Sequence, residues 1–239
     1  MTRPWETLER TASAGGALEL RRRGERDFLI VLEGRVLMTS AAHRSECELA
    51  TWVCEALPLL RPRLLIGGLG MGYTLRAALD ALPADATVCV AELEPAVVRW
   101  CRGPLATLHG DALADPRVEV ALGDVMEALR ASAAGSAPGW HGIALDLFEG
   151  PRGGRSEEDH PLYGRVALRT ARDALLPDGA LGIWSEADAP GFAARLAHEG
   201  LRPETRRAGR GGRRHVLFRA RRPAGAASSP FPGRPKRRG

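Results

Sequence analysis

The stretch 63–94 constrains the fold of this chain more than any other. An apolar run, Leu64 to Ile66, precedes a glycine-rich segment, and apolar residues then recur at helical spacing from Tyr73 to Leu82. A second apolar run, Thr87 to Leu93, contains Glu92, twenty residues after Gly72. This pattern predicts a buried strand, a glycine turn, an amphipathic helix and a second strand, which together form the front half of a nucleoside-binding α/β domain.

The glycine segment predicts a ligand site. Its glycines are Gly67, Gly68, Gly70 and Gly72. Without Cβ atoms the backbone turns sharply with positive φ, and a ligand can lie against the main chain. A carboxylate at the end of the next strand, here Glu92, can accept hydrogen bonds from both hydroxyls of a ribose. The run closes as G-x-G-x-G and lacks the G-x-G-x-x-G spacing, which disfavours an NAD-dependent reductase.

Strand and helix patterns alternate through the rest of the chain. Further strands are predicted at 118–122, 142–147 and 180–185, with helical patterns between them and a final strand pair near 201–220. Such alternation predicts a doubly wound, mostly parallel sheet with its ligand cleft at the carboxyl ends of the strands. Glu92, Asp124 and Asp146 all fall at such ends, so we expect them to meet at one crevice.

The composition of successive segments predicts four regions. Residues 1–15 and the basic tail 223–239 lack the periodic apolar residues that would form a core, so we expect them to be disordered. Residues 16–60 show short apolar runs separated by turns, which predicts a small antiparallel β meander followed by a linking helix. Residues 61–222 would then form the nucleoside-binding catalytic domain.

Other features exclude several classes of protein. No apolar run approaches the ~20 residues of a membrane span, and no signal peptide is visible, so we expect a cytoplasmic protein. The cysteines and histidines are scattered, so no metal site is expected. Residues 205–239 hold 11 arginines and one lysine but only two phenylalanines, which disfavours nucleic-acid binding through base stacking. A non-catalytic nucleoside-binding module whose basic tail recruits nucleic acid or a partner remains an alternative.

Several segments resemble those of the spermidine synthase-like proteins, relatives of the polyamine aminopropyltransferases within the class I S-adenosylmethionine-dependent methyltransferase superfamily. The segments are LEGRVLMTS, LLIGGLGMGYTLR, VAELEP, LGDVMEAL, IALDLFEGP and ALLPDGALGIWS. The resemblance implies a Rossmann-like sheet with a small N-terminal β domain, commonly in a homodimer. It also implies that Glu92 binds the ribose of a sulfonium donor, that Asp124 binds the adenine amino group, and that Asp146 faces the nucleophile.

Three departures from that family bear on the reaction. The aspartate expected within the glycine turn is absent from GGLGMGY, which favours intact S-adenosylmethionine over its decarboxylated form. Glu149, in DLFEGP, takes the place of the family's second catalytic acid. A tyrosine and a histidine expected near RSECELA are missing, and Glu46 and Glu48 are the only acids there. The sequence thus predicts alkylation of an amine or similar small nucleophile, with aminopropyl transfer and methyl transfer to a non-polyamine substrate both open.

Overall fold

The computed structural model describes residues 3–152, 159–208 and 215–225, which form two β-sheets and their covering helices. The smaller sheet is an antiparallel meander of four strands in sequential order. Its strands are β1 (Glu6–Ser13), β2 (Gly16–Arg23), β3 (Asp27–Leu32) and β4 (Arg35–Thr39). The predicted small antiparallel meander is therefore present, although it runs from Glu6 to Thr39, and the predicted linking helix follows it as α1 (Arg44–Cys54).

The expectation that residues 1–15 are disordered was wrong for Glu6–Ser13, which forms edge strand β1. This strand pairs with β2 along its length. Its segment, ETLERTAS, has no apolar alternation, so the pairing depends on main-chain hydrogen bonds that leave no pattern in the side chains. Glu9 also accepts hydrogen bonds from Trp100 Nε1, at 2.9 Å, and from Arg99 Nη2, at 2.6 Å, which tie the strand to the larger domain.

The larger sheet has seven strands in the order β10-β11-β9-β8-β5-β6-β7. Its elements, in chain order, are β5 (Arg63–Gly67), α2 (Tyr73–Ala81), β6 (Thr87–Glu92), α3 (Pro95–Arg102), β7 (Val118–Leu122), α4 (Val125–Ala133), β8 (Trp140–Leu145), α5 (Arg165–Ala174), β9 (Leu175–Ser185), α6 (Phe192–His198), β10 (Arg202–Ala208) and β11 (His215–Arg221). Strands β5 to β9 are parallel, and β10 and β11 are antiparallel additions at one edge. The predicted doubly wound α/β fold is confirmed.

The core lies on both faces of this sheet. Leu64 and Ile66 of β5 pack in one cluster with helices α1 to α3, whereas Leu65 packs in a second cluster with α4 to α6. This alternation follows from the two-residue period of a strand, and burial on both faces is typical of a parallel sheet. Buried residues of the meander, including Leu20 and Phe28, belong to the first cluster. The meander is therefore packed against the same face as α1.

None of the helices in the described ranges is both long and apolar enough to cross a bilayer. Residues 153–158 and 209–214, and 226–239 of the predicted basic tail, lie outside the described residues.

Candidate active site

The glycine turn joins β5 to α2 and has the backbone that its sequence predicts. Gly68, Gly70 and Gly72 have φ values of +89°, +52° and +81°. A Cβ on Gly68 would lie 2.5 Å from the carbonyl oxygen of Asp146, and one on Gly72 would lie 2.6 Å from Cδ2 of His109. The main chain at Gly68 thus packs directly against the residue that follows β8. A side chain at Gly68 or at Gly72 would overlap its neighbour.

Glu92 ends β6 and is buried beside this turn. Its Oε2 accepts a hydrogen bond from the amide of Leu69 at 2.7 Å, and its Oε1 accepts one from the amide of Glu94 at 2.8 Å. A carboxylate has about four acceptor positions, so two protein contacts leave room for ribose hydroxyls. The side chain thus holds the turn and has unused acceptor positions, and its role towards a ribose stays a prediction.

Asp124 lies at the carboxyl end of the next strand, β7. Its Oδ1 accepts a hydrogen bond from the amide of Met126 at 2.9 Å and so caps the N-terminus of α4. Leu122, which is paired with Glu92 across the strands, is 60% exposed, and Leu93 is 61% exposed. The carboxyl ends of β6 and β7 therefore carry two exposed leucines.

Asp146 follows β8 and lies against the glycine turn. The hydroxyl of Thr74, in the first turn of α2, donates a hydrogen bond to its Oδ2. Burial, and then the negative charge of Glu46, raise the pKa of Asp146, whereas the Thr74 hydrogen bond lowers it, and together these effects bring the pKa to about 7. A carboxyl group that titrates near neutral pH can take up a proton from a reacting amine.

Glu46 is the acid that sequence reasoning did not place in the site. It lies in the first turn of α1 with 7% of its surface exposed, and its charge acts on Asp146. The signal was present in the helical spacing, since Glu46 shares a face with the buried Leu49 and Val53. Within the described parts of the chain, no arginine or histidine forms an ion pair with Glu46 or with Asp146.

Glu149, the predicted second catalytic acid, is engaged elsewhere. Its Oε1 accepts a hydrogen bond from Arg35 Nη1 at 2.5 Å, and its Oε2 is paired with Arg152. Burial alone would raise the pKa of Glu149, but the hydrogen bond from Arg35 and the two positive charges lower it overall. Arg35 also stacks on the ring of Phe148, 4.6 Å from its centroid. Glu149 thus joins the segment after β8 to Arg35, the first residue of β4.

A groove of about 540 Å³ opens between α1 and α2. Its walls include His43 and Tyr73, whose rings stack with centroids 4.0 Å apart, and Cys47. Burial raises the pKa of the Cys47 thiol to about 11, and the charges of Glu46 and Asp146 contribute. None of the sequence-predicted site residues lines this groove. Across the described residues, His, Cys, Asp and Glu side chains form no group of three that could hold a metal ion.

Known proteins similar to this chain share both its fold and part of its sequence. Two solved spermidine synthases, one in complex with the transition-state analogue AdoDATO and one from Thermotoga maritima, each superpose with a TM-score of 0.69. Each alignment covers 90% of this chain and 72% of the other, at 17% identity. This chain has the spermidine synthase fold. The predicted mostly parallel sheet with a small N-terminal β domain is therefore confirmed.

Two curated proteins are similar to this chain in sequence. The polyamine aminopropyltransferases of Synechococcus sp. strains JA-2-3B'a(2-13) and JA-3-3Ab are 32% and 30% identical to this chain over 131 residues. The matched region is 55% of this chain and 39% of each relative, so the chain matches less than half of their length. No protein-family profile matches the chain. The resemblance to spermidine synthase-like proteins is confirmed.

Proposed function

We propose that this protein is an aminopropyltransferase that moves the aminopropyl group of decarboxylated S-adenosylmethionine onto a small cationic amine. The relatives named polyamine aminopropyltransferase support the reaction class. The observation that carries the proposal is the position of Asp146 against the glycine turn, where the charge of Glu46 acts on it and no described arginine or histidine forms an ion pair with either acid. Buried like charges destabilise each other, and a cationic ligand relieves that repulsion.

The sulfonium donor would occupy the crevice at the carboxyl ends of β5, β6 and β7. In this proposal Glu92 accepts hydrogen bonds from the ribose hydroxyls, and Asp124 accepts from the adenine amino group beside Leu93 and Leu122. Gly67, Gly68, Gly70 and Gly72 let the donor lie against the main chain. This arrangement would place the sulfonium near Asp146, since Gly68 packs directly against the backbone of that residue.

The transfer is an in-line displacement at carbon. The nitrogen lone pair of the acceptor attacks the methylene carbon bonded to sulfur, the carbon–sulfur bond breaks, and its electron pair stays on sulfur, leaving a neutral thioether. The attacking nitrogen must be deprotonated before or during attack, and Asp146 would accept that proton and pass it to solvent. Most of the acceleration would come from orienting the two substrates, because no bond to the protein forms.

The test is a donor comparison on the full chain. The absent turn aspartate favours the intact donor, whereas the likeness to polyamine aminopropyltransferases favours the decarboxylated one. On the proposed function, calorimetric titration with the two donors is expected to give tighter binding of the decarboxylated form. Incubation with 1,4-diaminobutane should then yield 5′-methylthioadenosine and a diamine heavier by one aminopropyl group, by mass spectrometry. Preference for the intact donor with a methylated product would replace this proposal by methyl transfer. Absence of binding by either compound would favour the non-catalytic module.

We also propose a homodimer in the cytoplasm, with a catalytic domain over 61–222 and an N-terminal domain that comprises the predicted segment 16–60 together with β1. The resemblance to spermidine synthase-like proteins supports the dimer. Analytical ultracentrifugation at micromolar concentration would test the dimer, because a monomer there would contradict it.

A further inference from the structure

Thr74 is a buried threonine in the first turn of α2, with 1% of its surface exposed. Threonines in helices commonly donate a hydrogen bond to the carbonyl four residues earlier, as Thr51 and Thr170 do here at 2.9 Å. At Thr74 that carbonyl belongs to Gly70 in the glycine turn, and the thiol of Cys101 donates to it at 3.3 Å. The hydroxyl of Thr74 is directed instead to the segment after β8.

Asp146, in that segment, is attached to the glycine turn at three points. Its amide donates to the carbonyl of Gly67 at 2.9 Å, and its own carbonyl oxygen packs against Gly68. Both of these contacts fix its backbone. The third contact is the hydrogen bond from the hydroxyl of Thr74 to Oδ2, and no other described residue donates a hydrogen bond to this carboxyl group. Thr74 therefore restricts the rotation of a side chain whose backbone is already fixed.

The other carboxyl oxygen of Asp146 is open to a substrate. Oδ1 accepts no hydrogen bond within the described ranges, and part of the surface of Asp146 is accessible. A general base works only within hydrogen-bond reach of the proton that it takes up. A carboxyl group held through one oxygen, with the other oxygen free, meets that condition without a search over rotamers.

We propose that Thr74 is a positioning residue that directs the free oxygen of Asp146 at the reacting amine and keeps the carboxyl group ionised until transfer. This inference rests on the proposed function, in which Asp146 accepts the proton. A hydrogen bond to the charged form of an acid favours that form, so Thr74 lowers the pKa of Asp146 against burial and the charge of Glu46. When the proton of the attacking nitrogen passes to Oδ1, the charge that Thr74 stabilised is neutralised.

The experiment compares Thr74→Val and Thr74→Ser in the full chain. Valine keeps the shape of threonine without the hydroxyl, and serine keeps the hydroxyl. Carbon-13 NMR of protein labelled at the aspartate carboxyl groups measures the pKa of Asp146, whose signal is identified by its loss in Asp146→Asn. The pKa is expected near 7 in the wild type and in the serine variant. It should be higher by about one pH unit in the valine variant, as for a lost hydrogen bond to a charged group.

Kinetics separate positioning from a merely structural role. The acid limb of kcat/KM should move to higher pH in Thr74→Val, because Asp146 then loses its proton only at higher pH. At pH values above that limb kcat should still be about 10-fold lower, since the carboxyl group is no longer oriented. The KM for the donor should stay within about twofold, because the proposed donor contacts of Glu92 and Asp124 lie on other strands.

The other titratable groups around this contact do not account for such a shift. Burial raises the pKa of the Cys47 thiol to about 11 and that of Tyr73, beside Thr74, to about 12, so both stay neutral across the acid limb. Glu46, whose charge acts on Asp146, is present in both variants. A difference between the valine and serine variants therefore reports on the hydroxyl.

Thr170→Val is the matched control, because Thr170 is partly exposed and bonds only within its own helix. It should leave the pKa of Asp146 and kcat unchanged. Thr74→Ala also lacks the hydroxyl and should reproduce the shift seen with valine. An unchanged pKa in Thr74→Val, or an equal shift in Thr74→Ser, would overturn the role of Thr74 while the proposed function stands. A wild type that transfers no aminopropyl group would overturn both proposals, even where the carboxyl pKa shifts.

Discussion

Replacing Asp146 by asparagine should abolish transfer and yet stabilise the protein. Burial, and then the charge of Glu46, raise the pKa of Asp146 from 3.8 to about 7 in the folded state. A difference of about three in pKa corresponds to on the order of 4 kcal/mol between the two protonation states. Because the folded pKa is raised, the acid is protonated more readily in the folded chain than in the unfolded chain, and the wild type loses stability as pH rises from about 4 to about 7.

Asparagine is neutral at every pH, and its carbonyl oxygen can still accept the Thr74 hydrogen bond. The variant should therefore exceed the wild type in free energy of unfolding by about 1.5 kcal/mol at pH 5 and by about 4 kcal/mol at pH 8. Urea unfolding followed by circular dichroism at the two pH values measures both differences. The decisive quantity is the increase of this stabilisation from pH 5 to pH 8, because a change in packing alone would alter the free energy of unfolding equally at both pH values.

Asp85→Asn, at an exposed acid in the turn before β6, is the control and should change stability by less than about 0.5 kcal/mol at either pH. A gain at Asp146 that does not increase with pH would refute the assignment of a buried, repelled carboxyl group. Asp146→Asn should raise the free energy of unfolding by less in a Glu46→Gln background, because Glu46→Gln has already removed the repulsion between the two acids.

Three further outcomes are expected. Glu92→Gln should weaken binding of the sulfonium donor about 10- to 100-fold by calorimetry, since an amide has one acceptor oxygen where the carboxylate has two, and unchanged affinity would exclude Glu92 from the ribose site. Gly72→Ala should cost more than about 2 kcal/mol of unfolding free energy, because its Cβ would overlap His109. Gly110 is the control, because it also has a positive φ but no atom lies within 4 Å of the Cβ that alanine would add. Gly110→Ala should lower the free energy of unfolding by about 1 kcal/mol, and an equal loss for the two variants would contradict the overlap with His109. Deleting residues 223–239 should leave turnover unchanged, whereas a lost, salt-dependent affinity for nucleic acid would favour the binding-module alternative.

Local sequence patterns were sufficient to predict the α/β core. The apolar run of β5, the glycines after it and the acid at the end of β6 lie close together in sequence, and each follows from backbone sterics or strand burial. Asp124 and Asp146 could be placed at strand ends for the same reason. Their roles towards adenine and the acceptor remain predictions until ligand binding is measured.

Long-range contacts accounted for what the sequence did not predict. Strand β1 has polar side chains and is held by main-chain pairing, so its segment resembled a disordered terminus. Glu149 occupies the position of a second catalytic acid, but Arg35, 114 residues earlier, neutralises it. An ion pair of that separation leaves no local pattern, because either residue alone reads as an ordinary surface charge.

The sequence by itself determined the sheet, the glycine turn and the acids at the strand ends, since these depend on periodicity and on the conformational freedom of glycine. Only the tertiary structure decided which groups act on Asp146. Thr74 donates a hydrogen bond to its carboxyl group across 72 residues of chain, and the charge of Glu46 acts on it from α1. Electrostatic coupling depends on distance in space, which one-dimensional spacing does not encode.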